Sequence, residues 1–175
     1  MKPDNDVKHE SRPLRFRIIT VSDRASRGEY EDRGGPRARQ LVEEFMQGKH
    51  RSVEIESMVL PDDPALLRKE LQRVREVPCD VIITTGGTGV GPRDMTPDVV
   101  AGECDKLIPG ITEYIRVKYG ADNPTALLSR SVAGILGSTL IYTLPGSVKA
   151  VEEYMSEILK SLEHLLLMVH GVDAH

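Results

Sequence analysis

Residues 80–85 read Asp80-Val81-Ile82-Ile83-Thr84-Thr85 and run straight into Gly86-Gly87-Thr88-Gly89. A short β-branched run with no polar alternation suits a strand of a parallel sheet covered on both faces. Parallel neighbours cannot be joined by a hairpin and need a crossover, usually a helix, so the rest of the chain is expected to alternate strand and helix. It does. Phe16-Arg17-Ile18-Ile19-Thr20-Val21 is a second β-branched run, ending in Ser22-Asp23. After the polar residues 24–35, Pro36 suits a first helical turn, and Leu41, Val42, Phe45 and Met46 keep helical spacing until Gly48. Val53, Ile55 and Val59 alternate with polar neighbours as a strand, and Pro61-Asp62-Asp63-Pro64 ends it while offering a carboxylate cap to a helix with Leu66, Leu67, Leu71 and Val74 as its buried stripe. Further helices are expected from Thr96-Pro97 and over residues 111–119. The last third repeats the design: a strand over residues 139–144, a Pro145-Gly146 turn, Ser147 as cap, and a long helix with apolar residues stepping by three and four from Val151 to Val169. The expected architecture is a three-layer α/β/α sandwich on a mainly parallel sheet with right-handed crossovers. One domain over residues 15–175 would follow a polar, disordered tail over residues 1–14.

Charge narrows the function classes. With 23 Lys+Arg against 27 Asp+Glu the net charge is −4, which supplies no basic field for a nucleic-acid backbone, so no nucleic acid is expected as partner. Aromatic residues are 4% of the chain and Trp is absent, leaving few rings on which bases could stack. No apolar run is long enough to cross a bilayer, and the polar start lacks the apolar core of a secretory signal, so no membrane and a cytoplasmic location are expected. Cys79 and Cys104 make neither a disulfide framework nor a zinc knuckle and read as buried thiols.

In such a sheet ligands collect outside the carboxyl ends of the strands. Four polar loops fall there: Ser22-Asp23-Arg24, Pro61-Asp62-Asp63, residues 86–98, and Pro145-Gly146-Ser147. In the third, successive glycines let backbone amides approach an anion closely. The loop lacks the Lys of a phosphate-binding GxxxxGK[ST] motif, and Pro92 interrupts a dinucleotide fingerprint. Arg93 is a candidate phosphate donor. Asp94, with Asp62 on a neighbouring loop, supplies hard oxygen ligands sufficient for Mg²⁺ that keeps waters and binds substrate phosphates. The plainer readings are a tight turn for the glycines, a helix cap for Asp62, and a cap at Ser147, whose helix N-terminus could also hold an anion. The histidines lack the spacing of a zinc site.

Taken together, Val21-Ser22-Asp23-Arg24-Ala25-Ser26, Tyr30-Glu31-Asp32-Arg33-Gly34-Gly35-Pro36, Thr84-Thr85-Gly86-Gly87-Thr88-Gly89, Arg93-Asp94-Met95-Thr96-Pro97-Asp98 and Leu144-Pro145-Gly146-Ser147 resemble the molybdopterin adenylyltransferases of molybdenum-cofactor synthesis. The resemblance runs from about residue 16 to 170 and implies an α/β/α enzyme, usually a homotrimer. That enzyme would join ATP to molybdopterin, giving adenylyl-molybdopterin and pyrophosphate for a separate molybdenum insertase. It implies Asp62 and Asp94 as catalytic and Mg²⁺-positioning residues, and Ser22, Asp23, Gly86, Gly87, Thr88, Gly89, Arg93, Thr96, Pro97, Gly146 and Ser147 as substrate- or nucleotide-binding residues. Where relatives commonly carry a second proline after the Pro-Gly-Ser turn, this chain has Val148. Two other functions fit the same motifs: a non-catalytic pterin-binding or scaffold homologue, and a nucleotide pyrophosphatase.

Overall fold

A computed structural model describes residues 12–172. In chain order its elements are β1 (Leu14–Val21), α1 (Asp23–Ser26), α2 (Gly34–Gly48), β2 (Val53–Leu60), α3 (Pro64–Gln72), β3 (Val81–Thr85), α4 (Thr96–Glu103), β4 (Lys106–Leu107), α5 (Pro109–Gly120), β5 (Ala133–Leu136), β6 (Thr139–Leu144) and α6 (Val148–Val169). Short 3-10 turns at Arg73–Arg75 and Pro124–Leu128 follow α3 and α5. The six strands form one sheet in the order β2-β1-β3-β6-β5-β4. The first four are parallel, as their apolar runs imply, whereas β5 runs antiparallel to β6 and β4 antiparallel to β5. These last two strands are absent from the sequence expectation. They are two and four residues long, too short to show a period, and they exist because β6 offers β5 a free edge.

The three-layer sandwich follows from the period-two pleat, which sends neighbouring residues to opposite faces. Phe16, Ile18, Val81, Ile83 and Tyr142 pack on one side against Ala38, Val42 and Met46 of α2, Ile115 of α5, and Val151, Met155 and Ile158 of α6. Ile19, Val21, Ile82 and Ile141 pack on the other against Leu67 and Leu71 of α3 and Val99 and Val100 of α4. Both faces of the central strands are therefore apolar. Apart from threonines, Arg17 is the polar exception on these strands: it lies on the α3 side with its side chain 2% exposed, its Nε held by Glu56 at 2.9 Å and its Nη1 donating to the Glu70 carbonyl.

Of the expected tail, residues 1–11 lie outside the described residues. Arg12 already belongs to the fold, its guanidinium gripping the Asp80 carboxylate through both nitrogens at 2.6 and 2.8 Å, and β1 opens at Leu14. Burial raises both thiols, Cys79 and Cys104, to a pKa of about 11, so neither is a thiolate nucleophile near neutrality. Among the described residues no helix is long and apolar enough to cross a membrane.

Candidate active site

The carboxyl ends of β1, β2, β3 and β6 bring the four polar loops together. After β3 the chain turns sharply. Gly86 has φ +98° and lies so close to the Val21 carbonyl that a Cβ could not fit; Gly87 has φ +62°, and a Cβ there would stand 2.5 Å from Thr96 Oγ1. Both positions require glycine on conformation as well as on space.

The backbone groups of this loop divide by type. Five of its carbonyls are occupied: Gly87 O accepts from Thr96 N (3.1 Å), Thr88 O from Arg130 N (2.8 Å) and Gly91 O from Asp94 N (3.1 Å). Gly89 O and Asp94 O accept from the Arg130 guanidinium. The amides of Gly87, Thr88 and Gly89 meet no acceptor among the described residues. Carbonyls bonded within the protein and amides without an acceptor, on residues that line a cavity, make a concavity of partial positive charge suited to an anion. The N-terminus of α6 adds to it. Ser147 Oγ accepts from Ala150 N at 3.2 Å, confirming its cap role, and the adjoining turn faces the same space.

The acids are arranged less simply than their spacing implies. Asp63, not Asp62, caps α3, its Oδ1 accepting from Ala65 N and Leu66 N at 2.8 and 3.2 Å. Asp62 is thereby left to the site. Its Oδ2 accepts from Asp23 N (3.0 Å) while Asp23 Oδ1 accepts from Asp62 N (3.0 Å), a reciprocal clasp between the first two loops. Arg93 pairs with Asp23, not with its neighbour Asp94. Asp94 closes its own turn by accepting from Gly91 N at 2.8 Å through Oδ2. Among the described residues Oδ1 of Asp62 and Oδ1 of Asp94 each have no hydrogen-bond donor.

Two cavities meet here. A polar one of about 590 Å³ takes in Ser22, Asp23, Asp62, Gly86 and Arg93. A second of about 370 Å³, with more apolar walls, takes in Thr88, Gly89, Ile115, Tyr119, Leu128 and Tyr154. Gly87, Asp94, Gly146 and Ser147 line both and form the sill between them. Thr96 and Pro97 line neither. They are buried behind the glycine loop, where Thr96 Oγ1 has no hydrogen-bond partner. Some wall residues are not among the site candidates that the sequence motifs single out. Asp32 is one: Thr85 Oγ1 donates to Thr20 Oγ1 (3.2 Å), which donates to Asp32 Oδ2 (2.6 Å), and Asp32 Oδ1 accepts from Gly35 N (3.0 Å). Ser129 and Tyr154 are others, from segments without a motif.

The fold and this paired-cavity site define an α/β protein with a polar, amide-lined site at the carboxyl edge of its sheet, of a kind suited to anionic small molecules. Residues 17–164 match the family model described as "Probable molybdopterin binding domain". The chain is 38% identical over 163 residues to the molybdopterin adenylyltransferase of Escherichia coli K12, covering 92% of this chain and 80% of that one. The crystal structure of the molybdopterin biosynthesis enzyme MoaB from Thermus thermophilus superposes with a TM-score of 0.77 at 38% identity, covering 90% of this chain and 97% of that one. The molybdopterin biosynthesis Mog protein from Mycobacterium ulcerans does so with a TM-score of 0.79 at 34% identity, covering 92% and 99%. The chain belongs to the molybdopterin-binding domain family of molybdenum-cofactor biosynthesis.

Proposed function

We propose that this protein transfers the adenylyl group of ATP to molybdopterin, releasing pyrophosphate. The observation that carries the reading is the sill between the cavities, where Asp94, the Gly87 amide and the Ser147 turn stand within reach of ligands in both. Two substrates that must react end to end need two compartments with a shared wall, and the relatives named as molybdopterin adenylyltransferases supply the chemistry.

The residues suit that chemistry. In the transfer an oxygen of the pterin's terminal phosphate forms a bond to the α-phosphorus of ATP, and the bond from that phosphorus to the bridging oxygen of the leaving pyrophosphate breaks. A phosphate monoester has a second pKa near 6 and is already an oxyanion at neutrality, so no general base is required. The site offers none of histidine type, and its work is placement and charge neutralisation. The amides of Gly87, Thr88 and Gly89 and the α6 N-terminus hold phosphate oxygens, Ser22 and Asp23 shape the polar cavity, and Arg93 reaches into it from the exposed rim.

The open Oδ1 atoms of Asp62 and Asp94 are hard donors of the kind Mg²⁺ takes. Among the described residues no group of three or more acidic, His or Cys side chains is arranged to hold a metal ion, which suits a cation that arrives with the nucleotide's phosphates. When bound, Mg²⁺ neutralises triphosphate charge.

We assign the assembly as a homotrimer built on the exposed apolar residues Tyr114 and Val117 of α5 and Leu127 and Leu128 of the following 3-10 turn. Sedimentation of the purified protein tests it, a monomer overturning the assignment.

Incubation with molybdopterin, ATP and Mg²⁺ tests the reaction. Pyrophosphate is expected only when the pterin is present. Its release from ATP alone, or its absence throughout, overturns the reading. Asp94→Ala is expected to lower turnover at least ~100-fold while pterin binding and Tm stay near wild type. Parallel loss of binding and Tm would make Asp94 a structural residue.

A further inference from the structure

Two carboxylates stand one turn apart on α6 and have opposite surroundings. Glu157 accepts from Lys118 at 2.6 Å, from Lys160 at 2.7 Å and from the Tyr119 hydroxyl at 3.2 Å. Glu153 lines the cavity of about 370 Å³. Among the described residues its carboxylate meets no hydrogen-bond donor, only Lys149 Nζ at 3.7 Å. That lysine is 74% exposed and precedes the glutamate by four positions, the weaker order for such a pair on a helix. Yet the Glu153 side chain is only 19% exposed. A carboxylate covered to that extent is normally supplied with donors by the protein.

The cavity beside it suits a flat heterocycle. Ile115, Leu128 and Ala150 give it apolar wall, and Tyr154 is nearly buried there with its hydroxyl donating to Ser129 Oγ at 3.2 Å. Apart from Asp94 on the sill, Glu153 is the one acid that lines it. Ser147, also on the sill, precedes Glu153 on α6, and a rise of 1.5 Å per residue separates the two by about 9 Å along the helix axis. An ionised carboxylate offers two acceptors and no donor. The 2-amino-4-oxopyrimidine edge of a pterin is its complement, with an amino N–H beside the ring N3–H, so both oxygens can be used at once. Adenine is not: it sets an amino donor beside a ring nitrogen acceptor, and a carboxylate repels the acceptor. In molybdopterin the donor edge of the pterin and the phosphate lie at opposite ends, as Glu153 and the sill are separated along α6.

We propose that Glu153 is the specificity residue for the pterin: its carboxylate accepts from the 2-amino group and from N3–H, seating the ring in the apolar cavity with the phosphate toward the sill and leaving the polar cavity to the nucleotide. The inference rests on the reaction proposed above and deepens it by assigning each substrate a compartment.

The test uses the full-length protein with Glu153→Gln and Lys149→Ala. The probes are 6-hydroxymethylpterin monophosphate and its lumazine counterpart, in which an oxo group replaces the 2-amino group. Their Kd values are read from ligand fluorescence, and kcat and KM are measured with molybdopterin and Mg-ATP. Wild type is expected to favour the pterin over the lumazine ~10–100-fold, the scale of hydrogen bonds to a charged acceptor. The amide of Glu153→Gln accepts from N3–H but donates to a 2-oxo group, so the preference is lost or reversed. The KM for molybdopterin then rises ~10–100-fold while kcat and the KM for ATP stay within about twofold, the pattern of lost uniform binding. Lys149→Ala keeps the wild-type preference. A preference retained in Glu153→Gln while adenylyl transfer proceeds would overturn the role of Glu153 and leave the reaction standing. An equal loss of preference in Lys149→Ala would credit the ion pair and overturn it as well. A pterin preference that depends on Glu153 in a protein that transfers no adenylyl group would overturn the reaction and leave the pterin seat standing.

Discussion

At the edge of the sheet where β1 and β3 begin, Asp80 is almost wholly buried and fully engaged, accepting from both nitrogens of Arg12 and from Arg15 N. Burial alone would raise its pKa, but the Arg12 guanidinium and the Arg15 amide outweigh burial and hold the carboxyl below its usual value. A little farther along, Arg17, Glu56, Arg73 and Glu70 form a chain of ion pairs. At the edge where the same strands end, charge and polarity are left open: loop amides without acceptors, and a bare oxygen on each of Asp62 and Asp94. Both edges carry aspartates beside arginines. What separates them is whether each group's partner lies within the protein, and buried polar groups that lack one signal a ligand more than a stabilising contact.

The comparison breaks most readily at Asp62. Asp62→Asn keeps an oxygen that can accept from Asp23 N, so the clasp between loops survives while the charge goes. Turnover is expected to fall ~1000-fold with Tm nearly unchanged, as steady-state pyrophosphate release and calorimetry would show. A large loss of Tm with modest loss of turnover would place Asp62 with the self-satisfied acids of the opposite edge.

Asp80→Ala makes the converse test. It strips Arg12 and the Arg15 amide of their acceptor in a buried setting, at a cost of about 2 kcal/mol, or a Tm lower by about 4–8 °C for a domain this size. Activity below the new Tm is expected to match wild type, since Asp80 lies across the sheet from the site. A fall in kcat at permissive temperature would show the two edges to be coupled.

The same contrast explains what the sequence discloses. β1, β2, β3, β6 and the longer helices are legible because burial on both faces or on one stripe writes a period into the residues; α1, four residues with none buried, falls within what the sequence reads as a polar loop. β4 and β5 write no period; β5 pairs with β6 over four residues and β4 with β5 over two, flanked by bonds from Asp105 N to Ile135 O and from Ile108 N to Ala133 O. The four loops of the site are legible as places, since strand ends and glycine runs mark them. Their pairings are not. Asp62 and Asp63 are equivalent as candidate caps until backbone geometry chooses Asp63. Arg93 neighbours Asp94 in sequence but reaches Asp23 in space, and Arg130 contacts carbonyls 41 and 36 positions away. Arg17 occupies a mid-strand position where the pattern calls for an apolar residue, and its burial depends on partners from β2 and α3. Local periodicity reports burial; it carries no record of which distant atom satisfies a charge.

The smallest effect is expected away from both edges, where α5 meets α6. Glu157 accepts from Lys118 and Lys160 at 2.6 and 2.7 Å and from the Tyr119 hydroxyl at 3.2 Å. The Lys118 and then the Lys160 hydrogen bond hold its carboxyl down at a pKa of about 2. A carboxyl depressed in the folded state stabilises fully above its unfolded pKa of about 4.3 and loses that contribution as pH falls toward the folded value. Both lysines are substantially exposed, so solvent screening keeps the effect small. Glu157→Gln is expected to lower Tm by about 1–3 °C at pH 7, with the gap to wild type narrowing below pH 4.5 and closing near pH 2. High salt should shrink it as well. A gap that persists at pH 2 would mean that Glu157 acts through its packing and hydrogen bonds, as the neutral side chain also could, and would move it from the surface ion pairs to the self-satisfied polar groups exemplified by Asp80.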